Sequence, residues 1–149
     1  MGDGVTAPCP DCGARLAEAE TCRERFGACL SLEYQNPATF GAVHHLSVIC
    51  YALQHNGYSR AAWIDARDLL ARCLHENLTG ADLLRITREK LGNRKNGSIN
   101  RGPRLKGVSG VVWTVTVADV DTTDLAAYET GVRRWAASVV ADTVDFTPS

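Results

Sequence analysis

No apolar run in the sequence approaches the ~18 residues that a membrane-spanning helix needs, so a chain that crosses a bilayer is not expected. The first ten residues, MGDGVTAPCP, lack the basic start and apolar stretch of a secretory signal. Together these absences predict a soluble, cytoplasmic protein, a compartment in which thiols stay reduced. Six cysteines are then better read as metal ligands or small buried hydrophobes than as three disulfides. Net charge is also nearly absent, at -1, but it is unevenly spread. Residues 85–106 hold eight basic residues against Glu89 alone, a local balance of +7 on a body of -8. That segment contains no aromatic residue, which weakens any reading as a single-strand nucleic-acid platform. The sequence has no internal repeat.

What is present is ordinary for a globular domain: 45% hydrophobic and 22% charged residues over 149 positions. A chain of this length buries roughly two-thirds of its unfolded surface, so a core does not require metal. Any bound ion either fixes a local segment or does chemistry.

The patterning predicts one domain over 1–149, mainly α, arranged as a compact bundle of four or five helices. Thr21 and Glu24 form a capping-box signature before a helix from Cys22 to about Tyr34, with Cys22, Phe26, Cys29, Leu30 and Glu33 on one face. Asn36-Pro37 stops that helix and starts another to about Gln54, carrying Phe40, His44, Val48 and Tyr51 along one stripe. So short a connection predicts an antiparallel hairpin. A third helix is expected over about Ser59–Asn77, burying Ala62, Ala66, Leu69, Leu70, Cys73 and Leu74, and a short fourth from Thr79 to about Leu91. Residues 92–110 read as a basic, glycine-rich loop, and Val111–Val120 as a short strand or extended arm. Asp121–Thr123 is expected to cap a last helix whose Leu125, Tyr128, Val132, Trp135 and Val139 form a core stripe.

Cys9-Pro10-Asp11-Cys12-Gly13 carries the clearest chemistry. Two thiolates two residues apart can grip one zinc ion, and the following glycine lets the backbone turn beneath it. A redox pair would normally open a helix after a strand, and no strand precedes this one. Structural zinc takes four ligands, so residues 1–20 read as half of a zinc knuckle. The other donors must come from Cys22, Cys29, Cys50, Cys73 and the four histidines. On one helix His44 and His55 stand about 16 Å apart and cannot share an ion. In the antiparallel hairpin, Cys22 and His55 lie at the same end as the knuckle, which selects Cys9, Cys12, Cys22 and His55. Glu33, His44 and His45 form a separate polar group, read either as an acid/base or second metal cluster or as a hydrogen-bonded core histidine. Cys50 and Cys73 read as core.

Cys9-Pro-Asp-Cys-Gly, Thr21-Cys22, Leu32-Glu33, the run Val43-His44-His45-Leu46-Ser47-Val48 and Tyr51-Ala-Leu-Gln54-His55 together resemble an uncharacterised bacterial family. Its small proteins carry CPxCG near the start, a lone Cys on the next helix and a VHxLTVxxYxLQHP segment. Thr116-Val-Ala-Asp119-Val120 and Arg134-Trp135-Ala136 are similar to its closing part. The resemblance implies no activity, but it singles out Cys9, Cys12, Cys22, His44, Gln54 and His55. Asn56 stands where that family usually has proline.

The primary reading is a zinc-stabilised, non-enzymatic module that binds a protein or small-molecule partner. The alternatives are a metal-dependent enzyme using Glu33, His44 and His45, and a nucleic-acid binder using residues 85–106. For the last, neutralising Arg101, Arg104 and Lys106 is expected to weaken binding at low salt and flatten its salt dependence in a filter or anisotropy titration. No binding at low ionic strength would leave the segment as a plain loop.

Overall fold

A computed structural model of the chain describes residues 7–17, 20–55, 57–91 and 110–148. The expected basic loop over 92–110 therefore lies outside the described residues except for Gly110, and so does Asn56. The described chain is mainly helical, with α1 over Cys22–Gln35, α2 over Pro37–Gln54, α3 over Arg60–Glu76, α4 over Gly80–Leu91 and α5 over Leu125–Asp142.

Local chemistry sets most of the helix ends. Thr21 and Glu24 make the reciprocal capping box, with Glu24 N–H donating to Thr21 Oγ1 at 3.1 Å and Thr21 N–H to Glu24 Oε1 at 3.2 Å. Ser59 Oγ accepts from Ala62 N–H to start α3, and Asn77, in the left-handed region at φ 54°, ends it. The last helix differs from expectation. Asp124, not the Asp121–Thr123 stretch, caps α5 by accepting from Ala127 N–H at 2.9 Å. Asp121 is engaged in its own turn, accepting from the backbone and hydroxyl of Thr123.

Of the two readings of Val111–Val120, the extended arm holds and the strand does not. Among the described residues the segment runs as an extended arm into a single 3-10 turn, Val117–Asp119. Thr116 and Asp119 cap each other there, and among the described residues no strand lies beside the arm.

α2 is the hub: α1, α3, α4 and α5 all pack against it. The stripe of Phe40, His44, Val48 and Tyr51 is not its core face. Val43, Leu46, Ile49, Cys50 and Leu53 are buried instead, and the other stripe forms a half-exposed margin against α1. On α5, Tyr128, Val132, Trp135 and Val139 are buried as expected, while Leu125 is exposed. Trp63 joins Ala62, Ala66, Leu70 and Cys73 in the core from α3. It also donates its indole N–H to the Leu53 carbonyl at 2.9 Å.

Gln54, at the end of α2, ties the arm to α5. Its amide donates to the Val115 carbonyl at 2.9 Å and its oxygen accepts from Trp135 Nε1 at 3.1 Å, all three residues being buried. Gln54→Ala leaves both partners buried and unpaired, so a loss of about 2–3 kcal/mol is expected in urea unfolding. A loss below about 0.5 kcal/mol would mean that this bridge contributes little.

Candidate metal centre

The N-terminal segment folds back on itself through two backbone bonds. Cys9 N–H donates to Ala14 O at 2.9 Å and Gly13 N–H to Cys9 O at 2.8 Å, with Gly13 at φ 79°, a conformation that glycine adopts without strain. The turn leaves Cys9 half-buried and Cys12 buried. Cys22 is the first residue of α1, and His55 follows the last residue of α2. Because the hairpin is antiparallel, these two termini meet over the turn. The ligand atoms of Cys9, Cys12, Cys22 and His55 all lie within 4.8 Å of one another. Cys12 Sγ and Cys22 Sγ are 3.6 Å apart, close to the ~3.8 Å edge of a tetrahedron with ~2.3 Å metal–sulfur bonds.

His55 is oriented from two sides. Its Nδ1 lies 2.9 Å from the Tyr51 carbonyl, which can only accept, so Nδ1 carries the proton and Nε2 keeps its lone pair. The ring stacks on Tyr51 at 4.0 Å, and Tyr51 in turn stacks on Phe26 of α1 at 4.2 Å. His55 Nε2 is buried with no hydrogen-bond partner. An orphaned acceptor of this kind costs about 1–3 kcal/mol unless something fills its lone pair. A ring held through Nδ1 with Nε2 free is the arrangement of a metal-ligating histidine.

Burial and neighbouring groups also shift the three thiols. Burial pushes Cys22 up to about 11, and it pushes Cys12 higher still, with the charges of Cys22 and Cys9 adding to it. Burial would also raise Cys9, but the backbone amides of Cys12 and Asp11, together with the Cys22 and Cys12 thiols, hydrogen-bond to its sulfur and hold it below its ordinary value. Three thiolates this close repel one another unless a positive ion stands between them. The donor set therefore fits a thiophilic metal ion.

The other cysteines lie apart from this cluster in the core: Cys29, Cys50 and Cys73 are all buried. Glu33 and His44 do pair, at 2.7 Å between Oε1 and Nδ1. Glu33 is fully buried, and its Oε2 accepts from Ser47 Oγ at 2.8 Å and from the Tyr128 hydroxyl in a short hydrogen bond. Burial, reinforced by Glu33, raises the Tyr128 phenol well above its ordinary value. His45 does not join them; its Nε2–H donates to the Leu78 carbonyl at 3.0 Å. Ser47 and Tyr128 are the partners that sequence reasoning missed. Tyr128 sits in a recognisable apolar stripe, but nothing in that stripe tells which carboxylate its hydroxyl meets.

Fold and site together define a small helical protein with a three-cysteine, one-histidine cluster at the open end of a helical hairpin. The chain belongs to a family of unknown function, DUF5946, whose model matches residues 7–143. No curated protein and no solved structure matches it. No helix among the described residues is long and apolar enough to cross a membrane.

His45 gives a pH dependence separate from the metal cluster. Burial lowers its pKa, Arg133 and His44 add to the lowering, and the Leu78 carbonyl and Asp82 oppose it. The folded ring thus resists a proton that the unfolded chain takes up near pH ~6.5. Stability is retained above that pH and is lost as pH falls from there toward the lower folded value, by at most about 1.4 kcal/mol per pH unit. His45→Gln is expected to flatten this acid limb when urea midpoints are compared between pH 7 and 5. Parallel limbs for the two proteins would count against it.

Proposed function

We propose that Cys9, Cys12, Cys22 and His55 hold one zinc ion as a closed structural site, and that the chain is a zinc-stabilised, non-enzymatic binding module of the cytoplasm. The observation that carries this reading is the buried, unpartnered Nε2 of His55 among three thiols. Bound there, zinc supplies four strong bonds and takes up the charge of the thiolates. Four protein donors leave no coordination position for water or substrate, which favours a structural over a catalytic ion. The chain's own part is to tether residues 9–14 to both α1 and α2. The saturation of Glu33 by three donors supports a structural role for that carboxyl as well, and weighs against a second metal beside it.

Elemental analysis is expected to find about one zinc per chain. The Cys9→Ser, Cys12→Ser double variant should lose it and melt earlier; at free zinc a thousandfold above Kd, about 4 kcal/mol of stability is at stake. In the cobalt-substituted protein, Cys22→Ser should reduce the thiolate charge-transfer intensity by about a third, as one of three sulfurs is lost. His44→Ala should keep the ion. Full zinc binding by the double variant would end this reading, and a second stoichiometric ion removed by His44→Ala would favour the enzyme.

A further inference from the structure

α3 and α4 both pack on α2 and leave a cleft of about 390 Å³ between them. Its volume lies within the usual range for small-molecule sites. The cleft is remote in composition from the cluster above, since none of the four ligand residues lines it. Its floor is apolar, made by Ile49 of α2, Ala66 and Leu69 of α3, and Leu83 and Ile86 of α4.

Three charged residues reach the cleft, and two of them are already engaged. Asp68 is paired with Arg67 at 3.1 Å and Arg72 with Glu76 at 2.7 Å. The third, Asp65, is half-buried and has neither an ion pair nor a hydrogen bond among the described residues. A half-buried carboxylate beside an apolar floor has lost part of its hydration without gaining a partner among the described residues, so a cation there is favoured over water alone. Tyr58, from the α2–α3 connection, adds a phenol whose burial keeps it in its neutral form, able to give or accept one hydrogen bond.

We propose that this cleft binds a small organic cation: a molecule with an apolar body of six or so carbons and one ammonium group. The body lies on Leu69, Leu83 and Ile86, and the ammonium donates to Asp65. The carboxylate discriminates against acids of the same shape, while the apolar floor discriminates against small hydrated cations.

Hexylammonium, hexanol and hexanoate are matched probes for a titration of the full chain followed by backbone-amide NMR. Hexylammonium should bind saturably, with shifts centred on α3 and α4, and at least about tenfold more tightly than hexanoate. Asp65→Asn, a near-isosteric change, should bring hexylammonium to the affinity of hexanol. Leu83→Trp should fill the cleft and abolish binding of all three. The proposal is overturned if none of the probes saturates, if hexanoate binds as well as hexylammonium, or if Asp65→Asn leaves the preference intact. Zinc content of the same samples is expected to stay unchanged, which separates this outcome from the fate of the metal reading.

Discussion

One residue, Asn36, separates α1 from α2, and the geometry of the molecule depends on how little chain that is. With no slack to slide, the two helices run antiparallel in a single register. Cys22, Phe26 and Glu33 on α1 meet His55 just past α2 and Tyr51 and His44 on it, each step forward along one helix matched by an equal step back along the other. One hairpin therefore builds two polar centres at its opposite ends. The thiol cluster lies at the open end, the Glu33–His44 pair lies toward the connection, and the Phe26–Tyr51 stack stands between them.

α2 carries the cost of this arrangement. A central helix touched by four others has little surface left for water, so its polar residues must find partners inside. Thr39 donates to Glu129, Ser47 to Glu33, His45 to the Leu78 carbonyl and Gln54 to the Val115 carbonyl. These bonds link α2 to α1, to α5, to the α3–α4 connection and to the arm before the 3-10 turn, and they fix which faces meet more sharply than apolar contact alone can. Among the described residues, the buried side-chain polar atoms left over are Arg25 Nε, His45 Nδ1 and His55 Nε2. Only the last of these stands among thiols.

A metal held at that point, as proposed, would act on the molecule as a clasp. Residues 9–14 are closed by two backbone bonds and bury Cys12 and Ala14 against the helices, and an ion shared with Cys22 and His55 would add to that attachment. The α3–α4 cleft lies on other elements and depends on a different physical fact: two helices that share a partner without packing closely on each other.

Most helices were legible in the sequence because their signals are local. Thr21 with Glu24, Pro37 at the first helical position, Ser59 and Asn77 act through atoms only a few residues apart. The cluster of Cys9, Cys12, Cys22 and His55 was legible too, because a one-residue connection converts sequence distance into spatial register. Tertiary structure decided what local signals do not reach. It chose Val43, Leu46, Ile49, Cys50 and Leu53 as the buried face of α2 over the equally periodic Phe40–Tyr51 stripe, since facing depends on which helices arrive later in the chain. It turned Val111–Val120 into an arm with a 3-10 turn, because β-branched residues form a strand only when another strand is there to accept their hydrogen bonds. It also brought Tyr128 to Glu33 across 95 positions, a contact that follows from the packing of α5 on α2 and that no spacing within the sequence encodes.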